Sequence, residues 1–200
     1  MINLANFIWV GGEQIPHLYQ QCLNSFVNKH PHWTINIWRD IDCEKIINDS
    51  PYKDLFNKHT SFINRYNFIK YHILAQEGGW FIDMDIQWNR SIEEIYNDKI
   101  TGGFPELFVP VRSNPMTPTK ITDNDDNLIY AEKGLFNGLL YHISQRGDID
   151  TTKKYEPFGP VSLSQWVHKK ERNVIFLYEE EIQLNGYYCN HLNGESWRFS

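Results

Sequence analysis

Two hundred residues suffice for one domain with a proper core, and a net charge of −6 argues against nucleic acid or an anionic membrane as the main partner. The three cysteines, Cys22, Cys43 and Cys189, are widely spaced and form no C-x-x-C, so neither a disulfide framework nor a zinc knuckle is indicated, which fits a reducing compartment. With neither a secretory leader nor a membrane-spanning apolar run legible, the expected location is cytoplasmic.

Ala5 to Val10 reads as a first buried strand closed by Gly11-Gly12. Pro16 opens a helix in which Leu18, Cys22, Leu23, Phe26 and Val27 recur at helical spacing, and His30-Pro31 ends it. Trp33 to Trp38 alternates apolar and polar, predicting a second strand with Trp33, Ile35 and Ile37 on one face. Asp40 or Asp42 caps a short helix through Ile47. Ser61 to Gln76 is the best-patterned helix: Phe62, Tyr66, Ile69 and Ile73 mark an apolar stripe, with Asn64, Asn67 and Lys70 off it. Gly78 stops that helix, a strand follows, and Ser91-Ile92-Glu93-Glu94 is a capping box opening the next helix. This β-α-β-α-β order implies a mostly parallel sheet with helices packed on it.

Further on, Phe104 to Val111 reads as a strand interrupted by Pro105 and Pro110, and Arg112 to Asn127 as a loop. Leu135 to Gln145 and Pro160 to Lys169 are helical, Val174 to Leu177 is a short strand, and the chain closes on a tail containing His191, Ser196 and Trp197.

The chemistry concentrates in Gly78-Gly79-Trp80-Phe81-Ile82-Asp83-Met84-Asp85-Ile86. Read as one strand, this stretch sends Asp83 and Asp85 to the same side. Two acids at the end of a buried strand repel unless a cation lies between them, and their hard oxygens suit Mg²⁺ or Mn²⁺ with positions left open for a substrate's phosphates. Ligands of open α/β sheets bind at the carboxyl ends of strands, so a nucleotide lying across the first and third strands would put its base near Trp9 and its diphosphate over the acids. Aromatic residues, 15% of the chain, supply flat surfaces for such stacking as well as core. Neither a G-x-G-x-x-G fingerprint nor a P-loop is present.

The assembled set resembles a known family. Ile8-Trp9-Val10-Gly11-Gly12 with Ile15-Pro16, then Asn28 to Trp33 leading to Trp38-Arg39-Asp40, is similar to the start of glycosyltransferases with a DXD motif, of the family 32 type. That group includes yeast Golgi mannosyltransferases and bacterial and viral polysaccharide enzymes. The block Ile63-x-Arg65-x-x-x-x-Lys70-Tyr71-x-x-Leu74-x-x-x-Gly78-Gly79-x-x-x-Asp83-x-Asp85 carries the resemblance most specifically. Asn137, Phe158-Gly159-Pro160 and His191-x-x-x-x-Ser196-Trp197 extend it, whereas residues 101–130 match nothing in the pattern.

The resemblance implies a single-domain GT-A fold over residues 1–200, a mostly parallel Rossmann-like sheet flanked by helices. It implies a nucleotide-sugar donor held through Mn²⁺ or Mg²⁺, a glycan or glycoprotein acceptor, and transfer with retention of configuration. Asp83 and Asp85 take the metal and the donor ribose, His191 completes the metal shell, and Ser196 and Trp197 touch the diphosphate. Ile8, Trp9, Val10, Gly11, Arg65, Asn67, Lys70, Met84, Asn137, Gly159 and Pro160 fall in the donor-binding segments. Where the family has Arg-x-Asp and a following Arg, this chain has Arg65, Asn67 and Lys70, which leaves the donor sugar open. UDP-hexose, such as UDP-glucose, is favoured over GDP-mannose, since Trp9 beside a tight glycine turn suits a small uracil. Two other readings stay open: a non-catalytic nucleotide- or sugar-binding domain of the same fold, and an aspartyl-phosphate phosphohydrolase, which also places D-x-D after an apolar strand. The domain is also compatible with being one part of a longer enzyme.

Overall fold

The computed structural model describes residues 2–58, 61–99, 105–113, 121–124, 127–146, 158–168, 174–178 and 186–192. Helices and strands follow one another as β1 (Leu4–Ile8), α1 (His17–Lys29), β2 (Thr34–Trp38), α2 (Asp40–Asp49), α3 (Lys53–Lys58), α4 (Phe62–Gln76), β3 (Gly79–Ile82), β4 (Ile86–Trp88) and α5 (Ile92–Lys99). The second half adds β5 (Leu107–Ser113), β6 (Ile121–Asn124), β7 (Leu128–Ala131), α6 (Asn137–Ser144), α7 (Pro160–His168), β8 (Val174–Tyr178) and β9 (Cys189–His191).

Among the described residues, seven strands form the main sheet, in the order β2-β1-β3-β7-β5-β6 with β8 also paired to β5. β1, β2, β3, β5 and β8 point one way; β6 and β7 oppose them. The sheet is therefore mixed but mostly parallel, as the β-α alternation of the first half predicts. Alternation along each strand sorts side chains to two faces. Phe81, Leu107, Val109, Ile129 and Ala131 join the core made with α2, α3, α4, α6 and α7. Trp80, Ile82, Phe108, Leu128 and Tyr130 join α1 and α5 on the opposite face.

The central strands approach each other through two glycines and one amide. Gly78 ends α4 at φ 67°, its N–H bonding Leu74 O, and Gly79 follows at φ 80°. Both dihedrals lie where a side chain is strained. A Cβ at Gly79 would come within 2.7 Å of Leu4 O, and one at Gly78 within 2.6 Å of Lys133 N. Asn6, fully buried on β1, spans this junction. Its Nδ2 donates to Gly78 O (3.1 Å) and Trp80 O (3.2 Å), while its Oδ1 accepts from Trp38 Nε1 (3.1 Å) and Asn36 Nδ2 (3.4 Å). All four of its hydrogen-bonding positions are thus used, which offsets the cost of burying an amide.

Several expectations change. The segment 112–127, read as loop, contains β6, which pairs antiparallel with β5, and leads into β7. β7 (Leu-Ile-Tyr-Ala) is buried throughout between β3 and β5, and its four residues are too few to stand out as a period-two pattern. α4 is not amphipathic in the way its stripe suggests. Phe62 is exposed, whereas Asn64, Asn67 and Lys70 are buried with nearly everything from Asn67 to Ala75. The helix is enclosed by the sheet and the other helices, so its polar residues find partners inside. The Ser91 capping box forms as expected: Glu94 N–H donates to Ser91 Oγ (3.3 Å) and Ser91 N–H to Glu94 Oε1 (3.2 Å).

Two buried histidines fasten helices in their neutral form. His30 Nδ1–H donates to Phe26 O (2.9 Å), and Nε2 accepts the Ile92 N–H at the start of α5 (2.7 Å). His72 Nδ1–H donates to Phe68 O (2.8 Å), and Nε2 accepts from Ser50 Oγ (2.7 Å), tying α4 to the end of α2. Burial pushes the His72 pKa down to about 4. Since the unfolded value is near 6.5, the unfolded chain takes up a proton first as pH falls. The stabilisation is complete above pH 6.5 and is lost between pH 6.5 and 4, by about 3 kcal/mol. Urea titrations of wild type and His72→Gln should show wild-type stability falling more steeply with acid across that window; parallel pH profiles would refute the assignment.

Candidate active site

β3 ends at Ile82, and Asp83-Met84-Asp85 is a turn rather than strand, closed by Ile86 N–H on Asp83 O (3.3 Å). Period-two alternation therefore cannot be what aims the two acids. The turn aims them: Met84 is buried in the core beside Trp80 and Ile86, and both carboxylates remain partly exposed. The last rung of the β3–β7 pairing is Asp83 N–H to Asn127 O, 2.8 Å.

The third group arrives from more than a hundred residues downstream. After the turn, β4 pairs antiparallel with β9, setting Ile86 opposite His191, and Leu192 N–H donates to Asp85 O (3.0 Å). This short ladder puts His191 Nε2 3.3 Å from Asp85 Oδ1. Asn127 Nδ2 lies 3.0 Å from His191 Nδ1 on the other side of the ring. Asp83, Asp85 and His191 each offer one ligand atom, all within 4.8 Å of one another. Two carboxylates and an imidazole, partly open to solvent, are a donor set that fits Mn²⁺ or Mg²⁺ with room for further oxygens.

A fixed positive charge lies behind the acids. Lys70 is 1% exposed, and its Nζ is 3.6 Å from Asp83 Oδ1. The ammonium also faces the rings of Phe81 (4.9 Å) and Tyr66 (5.3 Å), while Tyr66 O–H donates to Asp83 Oδ1 (3.3 Å). An ammonium is tolerated at such depth only when paired; here one carboxylate and two aromatic faces provide that pairing. The field of Asp85 reaches inward as well, adding to burial in pushing the Cys22 thiol up to about 11.

The other expected site residues divide into groups. Ile8 ends β1, and the parallel β1–β3 register, Ala5 to Trp80 and Asn6 to Phe81, carries it level with Asp83. Trp9, Val10 and Gly11 therefore follow at the same sheet edge as the acids. The indole Nε1 of Trp9 is buried without a hydrogen-bond partner among the described residues, and the ring packs on Tyr19 at 5.4 Å. The Gly11 N–H is held by Asp40 Oδ1 (3.2 Å) and Oδ2 (3.3 Å). Asn67 is buried and donates to Phe158 O (3.1 Å), fastening Phe158, the buried Gly159 and Pro160 of α7 to α4. Arg65 points elsewhere: it is exposed, with its guanidinium 4.5 Å over Phe56 of α3. Asn137 is exposed at the start of α6. Ser196 and Trp197 lie outside the described residues. Asn127, which the sequence pattern passes over, and Tyr66, which it reads only as apolar stripe, both touch the acid–histidine group.

Residues 16–101 match the family of glycosyltransferase sugar-binding regions containing a DXD motif. Among solved structures, the PaToxG glycosyltransferase superposes with a TM-score of 0.54 at 15% identity, over 84% of this chain and 68% of that one. The ligand-free glycosyltransferase domain from the YGT toxin gives 0.53 at 9% identity, over 93% and 81%. A glycosyltransferase involved in the glycosylation of the major capsid of PBCV-1 gives 0.55 at 11% identity, over 98% and 95%. No curated protein matches the chain. The matched stretch contains Asp83 and Asp85, and the described residues around it have an α/β fold of the GT-A glycosyltransferase type.

Proposed function

We propose that this protein is a metal-dependent glycosyltransferase of the family 32 type, transferring a hexose from a nucleotide sugar to a glycan or glycoprotein acceptor. One observation carries the proposal: Asp83, Asp85 and His191 converge at the carboxyl end of β3, inside a fold of glycosyltransferase type. In this reading Asp83, Asp85 and His191 hold Mn²⁺ or Mg²⁺. The bound ion supplies Lewis-acid neutralisation of the diphosphate that leaves, so no protein acid has to protonate it.

The chain's own residues bind and orient. The level ends of β1 and β3 give a donor a place to lie, with its base toward Trp9 and its diphosphate over the acids. Lys70 offsets part of the carboxylate charge from below, which favours approach of a polyanion to an acidic site. Asn67 and Lys70 stand where the family has Asp and Arg. Asn67 contributes here by holding the Phe158-Gly159-Pro160 segment, and Lys70 by holding Asp83. Ser196 and Trp197 enter from the family resemblance alone, as hydroxyl and indole donors to the diphosphate. Retention of configuration likewise follows the resemblance, with the acceptor attacking from the leaving-group side. The single-domain reading and a cytoplasmic location belong to the same proposal; among the described residues no helix is long and apolar enough to cross a membrane.

Asp85→Ala should lower donor turnover at least about 100-fold while leaving the melting temperature within a few degrees, because the side chain sits on a partly exposed turn. Full activity in excess chelator would overturn the metal role. Trp197→Ala should slow transfer more than it weakens binding of free nucleotide, read by steady-state kinetics beside calorimetry. For the donor, calorimetric titration with Mn²⁺ should rank UDP ahead of GDP. A tenfold preference for GDP, about 1.4 kcal/mol, would reverse the assignment.

A further inference from the structure

The imidazole of His191 has a different neighbour on each nitrogen. Nε2 faces Asp85 Oδ1 at 3.3 Å, and Nδ1 faces the side-chain amide of Asn127 at 3.0 Å. An NH₂ group can only donate, so with Asn127 Nδ2 on Nδ1 the neutral ring accepts there and carries its proton on Nε2, toward Asp85. In that arrangement the atom that would ligate a cation is occupied by hydrogen. Turning the amide over presents Oδ1 to the ring instead. Nδ1 then carries the proton and donates it, and the Nε2 lone pair is bare beside the two carboxylates.

We propose that Asn127 is the positioning residue of this site: its amide sets the tautomer and ring orientation of His191, one orientation closing the Nε2–Asp85 contact and the other opening Nε2 to a divalent cation. The inference rests on the metal reading given above. Two further features support it. Asn127 is buried (3% exposed), so its amide is shielded from water where it meets the ring. Its carbonyl accepts the Asp83 N–H at 2.8 Å, so a single residue braces one carboxylate by its backbone and the imidazole by its side chain. A group that fixes the second nitrogen of a ligating histidine typically matters 10–100-fold in metal affinity.

The test compares wild type, Asn127→Asp and Asn127→Leu, all full length. Aspartate keeps an acceptor oxygen at Nδ1, leucine removes both donor and acceptor at similar volume, and both keep the backbone carbonyl that Asp83 uses. The first readout is the tautomer of His191 in metal-free protein at pH 7.5, from long-range ¹H–¹⁵N couplings of the ring. Expected are Nε2–H in wild type and Nδ1–H in Asn127→Asp; the same tautomer in both overturns the proposal. The second is Mn²⁺ affinity by calorimetry without nucleotide. Asn127→Leu should bind about 10-fold more weakly or worse, and Asn127→Asp should hold wild-type affinity or exceed it. Wild-type affinity in Asn127→Leu refutes the role. Should Asn127→Leu fail to fold, the wild-type and aspartate spectra decide alone. If wild type itself takes up no Mn²⁺, the metal reading fails, and the metal-free tautomers still decide whether Asn127 governs the ring.

Discussion

The approach of β1 to the α4–β3 junction is the constraint on which the rest of this structure depends. Gly79 admits the Leu4 carbonyl where a Cβ would stand, and Asn6 stitches β1 to the backbone on either side of that glycine. With β1 and β3 drawn together in parallel register, their carboxyl ends finish level, and only then does the Asp83–Asp85 turn share an edge with the segment following Ile8. The two glycines are therefore as much part of the site as the acids, although neither touches it. Their contribution is backbone shape, which no other residue type could supply without strain.

Charge at the site is balanced in layers. Two carboxylates close together repel, and the protein relieves part of that with Lys70 and Tyr66 on Asp83 and with the imidazole on Asp85. Asp83 faces the Lys70 ammonium, and Asp85 faces the His191 ring. A lysine at this position, where the resembled family has arginine, gives a point charge without a bidentate fork. The Lys70 ammonium lies against Asp83 and the two aromatic faces of Tyr66 and Phe81.

Much of this was legible from sequence, for reasons that can be traced residue by residue. The glycine stop after α4, the Ser91 capping box and the β-α alternation rest on local backbone chemistry, and each appears where the pattern puts it. The paired acids were found by a strand argument that the turn replaces, because Met84, not strict alternation, anchors the stretch. β7 and β9 left no usable periodic signal in four and three residues; long-range pairing creates them. The same holds for Asn127. Its role comes from what β3, β4 and β9 place around it, and nothing in its neighbours along the chain announces that. The polar residues of α4 read in the opposite sense: Asn67 and Lys70 lie off the apolar stripe yet are buried, since their partners, Phe158 O and Asp83, come from other segments of the chain.

The pairing of β4 with β9 has a temporal side. Asp83 and Asp85 leave the ribosome just after β1, β2 and β3, which are then already made and able to associate. His191 is translated more than a hundred residues later, and the ladder that docks it needs Cys189 and Asn190 as well. During that interval the nascent chain holds two acids with Lys70 for company and no imidazole. The three-donor group is thus complete only once β9 has been made, and a chain stalled or truncated before β9 carries the acids without the imidazole.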